Sequence, residues 1–120
     1  MQVEKISLEE LQRILEGHGL WLWSRGTKGC RANLSRADLY QADLRGANLS
    51  NADLRQADLR GSNLSWADLS CADLYRANLP RAILYKANLK VATAKDCWIY
   101  RAKFSSPKDR ARLLMLGARE

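Results

Sequence analysis

The chain has 120 residues, of which 20 are Lys or Arg and 13 are Asp or Glu, so its formal net charge is +7. This length suits one domain, the lack of an apolar run of about 18 residues excludes a membrane-spanning helix, and acidic residues near the N-terminus argue against a signal peptide. Three cysteines without a Cys-x-x-Cys pair and a single histidine argue against a disulfide framework and a zinc site, so we expect a cytoplasmic protein with no metal or other cofactor.

Residues 1–30 are predicted to form an N-terminal helix and cap segment. Ser7 and Glu10 have the Ser-x-x-Glu spacing of a capping box, which predicts a helix over about Leu8–Glu16 that ends near the glycines that follow. An apolar stretch and a polar, glycine-bearing link then lead into the rest of the chain. His18 has no second histidine, cysteine or acid at motif spacing, so we expect a packed side chain at the helix end rather than a base or a ligand.

Residues 31–90 consist of twelve consecutive five-residue units, which begin R-A-N-L-S, R-A-D-L-Y and Q-A-D-L-R. The central residue is Leu in all twelve units, and the residue two before it is Ala in all but one. The residue between them is Asp or Asn in all but one unit. The central leucines are predicted to form the core, and they are Leu34, Leu39, Leu44, Leu49, Leu54, Leu59, Leu64, Leu69, Leu74, Leu79, Leu84 and Leu89.

A period of five fits neither a regular helix nor a straight strand. On a helix, successive leucines would step by roughly 140° around the axis, and on a strand they would alternate between opposite faces. The chain must therefore bend once per unit, and the column of Asp and Asn residues indicates where, because these side chains bond nearby backbone groups in turns. If four corners close a coil, residue n lies beside residue n+20, about 4.8 Å away.

The A-[DN]-L-x-x run resembles the pentapeptide repeat proteins. That resemblance implies an all-β fold, a right-handed quadrilateral β-helix with four repeats per coil. It covers residues 31–90 cleanly and extends in decayed form to residue 105, which gives about four coils over 31–105. Uninterrupted short arrays of this kind resemble small bacterial, often cyanobacterial, members of unknown role.

Residues 106–120 are predicted to form a C-terminal capping helix. Ser106 and Pro107 suit the N-cap and the first turn, and Ala111, Leu114, Met115 and Ala118 fall on one side. The apolar last coil must be covered, either by this helix or by a second copy across a two-fold axis. Seven bases against three acids in residues 91–120 oppose close approach of two copies, so a self-capped monomer is favoured over an end-to-end homodimer.

A twenty-residue coil places basic and aromatic residues on two adjacent columns. Arginines interleaved with tyrosines can bind phosphate backbones, but repeat surfaces also carry such residues for solubility. The possible interaction surface comprises Arg36, Arg55, Arg60, Tyr75, Arg76, Arg81, Lys95 and Arg101. A possible contact patch comprises Trp66, Tyr85 and Lys86, with a cation–π pair between Trp66 and Lys86 as one form of it.

Four further positions carry predictions. Cys97 falls at the small inward position, so we expect a buried thiol, whereas Cys71 should point outward. Pro80 has no N–H for a bond between coils, and Ile83 replaces the Asp or Asn of its unit. Either the turn changes near residues 80–84, or Ile83 is an apolar contact for a partner.

These observations favour a non-catalytic interaction module with a protein partner. A Leu/Ala interior leaves no polar pocket, and flat sides offer no cleft for chemistry. One alternative is a binder of nucleic acid or another anionic surface through the Arg and Tyr columns. Another, implied by the resemblance to the quinolone-resistance members of the family, is a DNA mimic that protects gyrase. The charge of +7 disfavours that alternative, because imitation of DNA needs an acidic surface.

Overall fold

A computed structural model describes residues 5–120, so residues 1–4 of the predicted N-terminal segment lie outside the described part. In chain order the elements are helix α1 (Leu8–Trp23), strands β1 (Ile83–Leu84) and β2 (Lys103–Phe104), and helix α2 (Pro107–Met115). Neither helix is long and apolar enough to cross a membrane. Between the helices the chain is a solenoid in which short extended pieces alternate with turns.

Helix α1 begins where the sequence predicts and ends later. Ser7 is its N-cap, and its Oγ accepts a hydrogen bond from the Glu10 backbone N–H at 3.1 Å. The predicted end near Glu16 is wrong, because the helix continues to Trp23 through two glycines. Gly29 of the following link packs so closely on this stretch that a Cβ atom there would clash with the carbonyl oxygen of Gly17. Tertiary packing thus overrides the low helix propensity of glycine.

The solenoid repeats every twenty residues. Parallel bridges join Asn33 to Asp53 and Asp53 to Asp73, and the same n to n+20 register recurs along the array. Asp53 donates its N–H to the Ala32 oxygen on one side at 3.0 Å, and Leu54 donates to the Asp73 oxygen on the other at 2.9 Å. One coil therefore comprises four units, while the right-handed sense and the number of coils remain predictions from the resemblance.

Each unit turns at the two residues that follow its leucine. The N–H of the next small residue donates to the carbonyl of that leucine at 2.9–3.2 Å, and the second turn residue has a φ of 56–68°. This is the pattern of a type II turn. The Asp or Asn side chain accepts the N–H two residues on, as Asp38 does from Tyr40 at 3.1 Å. Because a turn interrupts the chain every five residues, pairing stays confined to single bridges and one two-residue ladder.

Val91 occupies one of these left-handed positions with a φ of 60°, although β-branched side chains rarely adopt it. The side chain is 78% exposed and so contributes little burial. Val91→Asn is expected to raise the free energy of unfolding by about 0.5–1 kcal/mol, since asparagine tolerates this region. Urea denaturation measures the change. The same substitution at the preceding Lys90, where φ is not positive, is the control, and an equal gain at both positions would contradict the explanation.

The twelve repeat leucines all lie in the interior, each at most 4% exposed, with the alanines two residues before most of them. Ile99 continues their column in the decayed units. Cys97 is buried, as predicted, and burial raises the pKa of its thiol to about 12. Cys71 is exposed, also as predicted.

The predicted change of turn near residues 80–84 is wrong. Ala82 donates to the Leu79 oxygen at 3.0 Å and Arg81 has a φ of 61°, as in the other units. The reason is that the N–H missing from Pro80 belongs to a position that bonds an Asp or Asn side chain within the turn rather than the neighbouring coil. Ile83 keeps its bond to the Ser62 oxygen at 2.9 Å, so its role as an apolar contact stays a prediction.

His18 completes the N-terminal end of the solenoid. Its Nδ1 accepts the Ala32 backbone N–H at 2.8 Å, so its Nε2 carries the proton and donates to the Ser50 oxygen at 2.7 Å. The ring is fully buried and stacks on Trp21. In later coils the carbonyl equivalent to that of Ser50 accepts a bond from the preceding coil, as Arg55 does from Arg36. The imidazole therefore makes the backbone contacts that a preceding coil makes elsewhere in the array.

Helix α2 covers the opposite end, and the chain then returns along the last coil. The Asp96 N–H donates to the Gly117 oxygen at 2.9 Å, and the Ile99 N–H donates to the Arg119 oxygen at 2.8 Å. The predicted apolar side of α2 is partly wrong. Leu113 is the fully buried residue of the helix, whereas Met115 is 88% exposed. The tail pairing, which the sequence does not signal, rotates the helix so that Leu113 faces the open coil.

Candidate interaction surfaces

The register brings the predicted basic and aromatic residues together on two columns of turns. The first column comprises residues 35–36, 55–56, 75–76 and 95–96, and the second comprises residues 40–41, 60–61, 80–81 and 100–101. On the first column the N–H groups of Arg36 and Arg76 donate to the carbonyl oxygens of Arg55 and Lys95, at 2.8 and 3.0 Å. On the second column, Arg81 donates to the Tyr100 oxygen at 2.8 Å. The column positions follow from backbone bonds alone, so each outward side chain is held one coil spacing, about 4.8 Å, from the next.

Two arginines of the predicted set are already paired with carboxylates. The Nε and Nη2 atoms of Arg60 donate to the two carboxylate oxygens of Asp58, at 2.8 and 2.7 Å, and Arg55 binds Asp53 in the same way. These side-chain hydrogen bonds lower the pKa of both carboxyl groups. Arg45 and Asp43 form a third such pair, in which the pKa of Asp43 falls to about 2. The signal that sequence reasoning missed is the Asp-Leu-Arg triplet, which occurs three times.

The remaining cations of the set are not neutralised in this way. Within residues 5–120, no carboxylate oxygen lies within 4.0 Å of the charged nitrogens of Arg36, Arg76, Arg81, Lys95 or Arg101. Arg36 donates to the Gln56 side chain at 2.6 Å. Two others stack on tyrosines, with guanidinium carbons 5.2 Å from the ring centroids. These five cations thus form no ion pair among the described residues.

The contact patch of Trp66, Tyr85 and Lys86 lies together at one corner. The Trp66 N–H donates to the Tyr85 oxygen at 2.8 Å, and their side chains are 70% and 45% exposed. The cation–π form of the patch is wrong, since the contacts of this kind in the described part of the chain involve Tyr40, Tyr75, Tyr100 and Trp98. An exposed aromatic pair beside a lysine remains.

A third feature is the side of the solenoid between the second column and this corner, which we call the basic face. Bridges join Asp43 to Asn63 and Asn63 to Ile83, and β1 pairs Ile83 with Lys103. The outward residues in its four rows are Gln41, Asp43 and Arg45; Gly61, Asn63 and Ser65; Arg81, Ile83 and Tyr85; and Arg101, Lys103 and Ser105. Asp43 is the one carboxylate of these rows, and Arg45 neutralises it. Lys103 was not among the predicted residues because its unit has decayed.

Most groups that could support chemistry are committed to structure, although Cys30 and Cys71 are exposed thiols. The Asp and Asn side chains of the repeat units accept turn N–H groups, except in the unit that contains Pro80, and four aspartates bind arginines, since Asp96 pairs with Arg119. Both ring nitrogens of His18 bind backbone groups, and the Cys97 thiol is buried. Within residues 5–120, no three His, Cys, Asp or Glu side chains are grouped closely enough to hold a metal ion. The surface features that stand out are the exposed columns and the basic face.

Comparison with known proteins defines the class. The family model for pentapeptide repeats matches residues 32–70, 57–93 and 67–105, with eight copies. A pentapeptide repeat protein from the thylakoid lumen of Arabidopsis thaliana is similar in structure, with a TM-score of 0.68 and 28% identity over 74% of this chain. HetL, a pentapeptide repeat protein involved in heterocyst differentiation regulation in the cyanobacterium Nostoc sp. strain PCC 7120, gives a TM-score of 0.46 and 32% identity over 62% of this chain.

The chain spans 63% of the Arabidopsis protein and 43% of HetL, less than two thirds of either. No curated protein matches the sequence. A chain built from such repeats, with parallel bridges every twenty residues, is a repeat β-helix. This protein belongs to the pentapeptide repeat family.

Proposed function

We propose that this protein is a non-catalytic interaction module that presents flat β-helix faces to a macromolecular partner. One observation carries the proposal. A ladder of backbone bonds between neighbouring coils holds the backbone of the outward positions in a twenty-residue register over a filled Leu/Ala interior. Such a surface is preorganised, so binding orders few groups and costs little conformational entropy. A right-handed quadrilateral form of about four coils is part of the proposal.

The chemistry of the ionisable groups supports a role without catalysis. A general acid needs a pKa near the working pH, yet the pKa of Asp43 is about 2 and the pKa values of Asp53 and Asp58 are also lowered. A cysteine nucleophile needs a lowered pKa, whereas that of Cys97 is raised to about 12. Hydrogen bonds from arginine side chains, with a smaller contribution from the turn N–H groups, thus hold these aspartates ionised, and burial holds the Cys97 thiol protonated.

A protein partner and a monomeric, cytoplasmic chain complete the proposal. Three free thiols suit a reducing compartment. Helix α2 buries Leu113 against the last coil and the tail pairs with that coil, which favours the self-capped monomer over an end-to-end dimer. Light scattering of the full chain at several concentrations distinguishes the two.

An anionic partner is the second candidate, and the five cations without a carboxylate neighbour favour it. In the described residues none of them forms a salt bridge, unlike Arg55 and Arg60. A DNA-mimic role at gyrase is the third and weakest candidate, because the net charge of +7 opposes binding to a surface made for DNA.

The test uses immobilised full-length chain to capture partners from host extract, with three variants that each change one surface. Arg36→Gln with Arg76→Gln changes the first column, Arg81→Gln with Lys103→Gln changes the basic face, and Trp66→Ser with Tyr85→Ser changes the corner patch. We expect a partner that wild type retains and that is lost either by the first-column variant alone or by one or both of the adjoining variants of the basic face and the corner patch, with all melting midpoints within about 3 °C. Retention that no variant alters would contradict binding through these surfaces.

A further inference from the structure

The basic face differs from the other surfaces in the sign and the pairing of its charges. Its last two rows carry Arg81, Arg101 and Lys103, all exposed, and no acid. Lys86 adds a fourth cation at the adjoining corner, where its N–H bonds Ser105 of the next row. Within the described residues none of these cations has a carboxylate within salt-bridge distance.

Aromatic side chains border this cluster on both edges. Tyr100 lies at the edge of the second column and is 51% exposed, and Arg101 stacks on its ring. Tyr85 and Trp66 lie at the opposite edge, one row apart. Cations between exposed aromatic rings can bind phosphates while the rings stack on bases, and such stacking does not depend on base identity.

The shape of the face restricts the kind of nucleic acid. The row above the cations consists of Gly61, Asn63 and Ser65, three small residues that leave a flat path. Helices α1 and α2 cap the two ends of the array, so the face itself consists of turns and extended pieces rather than a helix that could enter a groove. In a duplex the bases already stack on one another, so the flanking aromatics can serve only unpaired bases.

We propose that the basic face binds single-stranded nucleic acid, with Arg81, Lys103 and Arg101 on phosphates and Tyr85 and Trp66 on bases. This deepens the second candidate of the proposed function, an anionic partner, by naming its class, and it rests on the proposal that the protein is an interaction module. A second copy of the chain is a poor occupant, because two basic faces repel each other. An acidic protein matches the charge but leaves the exposed rings without bases to stack on.

Fluorescence anisotropy of a labelled oligothymidylate of about 20 nucleotides with the full chain tests the proposal. Affinity should fall steeply between about 50 and 200 mM salt. Arg81→Gln with Lys103→Gln should weaken binding and reduce the slope of log affinity against log salt by about 1.4, since each phosphate contact contributes about 0.7. Lys90→Gln with Lys95→Gln removes the same charge elsewhere and should leave that slope nearly unchanged. Equal effects of the two double variants would overturn the proposal.

Stacking gives a second readout that charge alone cannot mimic. Tyr85→Ser should weaken oligothymidylate binding by about 5- to 150-fold, whereas Tyr75→Ser, on the first column, should have little effect. Labelled poly-glutamate in the same assay represents an acidic protein. If it binds as tightly as the oligonucleotide and ignores Tyr85→Ser, the nucleic-acid proposal falls while the interaction module stands. If neither probe binds at about 50 mM salt, the proposal falls too, and the capture experiment still decides the broader function.

Discussion

Replacing Leu59 with alanine is expected to lower the free energy of unfolding by about 2–5 kcal/mol. Leu59 is fully buried in the interior, in register with Leu39 and Leu79 of the neighbouring coils. Its own backbone is fixed by a bond to the Asn78 oxygen at 2.7 Å, as that of Leu39 is by a bond to the Asp58 oxygen at 2.8 Å. Because these ladders hold the coils apart, the walls cannot collapse into the space that the side chain leaves.

Urea denaturation measures this loss, and the adjacent residue provides the control. Arg60 is exposed and forms a two-bond ion pair with Asp58, so Arg60→Ala should cost only about 0.2–1 kcal/mol. Leu59→Met keeps most of the volume and should cost less than about 1.5 kcal/mol. Equal losses for Leu59→Ala and Arg60→Ala would contradict the assignment of inward and outward positions.

The repeat region shows how far a sequence can carry a structural prediction. A period of five forces one bend per unit, and the Asp or Asn column identifies the bend because its side chain must accept a turn N–H. The predicted effect of Pro80 was wrong for a specific reason. The rule that proline breaks a ladder applies only to an N–H that belongs to the ladder, and that of Pro80 would have bonded within its own turn.

The ends could be predicted less well than the middle, because their structure depends on contacts distant in sequence. The continuation of α1 depends on packing against Gly29, and the burial of Leu113 depends on a tail that pairs with residues 96–99. Neither contact has a local sequence signal. Propensity rules therefore place the end of α1 too early and assign the wrong residues to the buried side of α2.

The sequence predicts which side chains lie on the surface columns, but it does not predict which of their charges are paired. Column membership follows from the period, so Arg55 and Arg60 were placed correctly. Their availability depends on whether a side chain folds back onto the carboxylate two residues earlier, which occurs in each Asp-Leu-Arg triplet. The basic face appears only when these pairs are discounted and Lys103 is placed by its pairing with Ile83.

The second large effect concerns His18 at the N-terminal end. His18→Ala leaves the Ala32 N–H and the Ser50 oxygen without their buried partner, and each lost bond costs about 1–3 kcal/mol. We expect a total loss on the order of 2–6 kcal/mol in the free energy of unfolding at pH 8. A loss no larger than that of an exposed substitution such as Arg60→Ala would show that the imidazole does not hold the first coil.

The same contacts make stability depend on pH. Desolvation by burial lowers the pKa of His18 below the ordinary value of 6.5, although the bond to Ser50 opposes this and the nearby Arg31 charge adds to it. Protonated Nδ1 would also face the Ala32 N–H with a second donor. Below about pH 6.5 the unfolded chain therefore binds a proton at this histidine, whereas the folded chain does not. The free energy of unfolding is highest above that pH and decreases as the pH is lowered through it.

Below pH 6.5 the free energy of unfolding should decrease by up to about 1.4 kcal/mol per pH unit, and the decrease should cease below the folded-state pKa of His18. Denaturation midpoints at a series of pH values between about 5 and 8 measure it, a range in which aspartates with lowered pKa values remain ionised. His18→Gln offers an amide in place of the ring and cannot titrate, so its stability should be nearly flat over this range. A slope that survives in His18→Gln would assign the pH dependence to another group and contradict the role of the neutral imidazole.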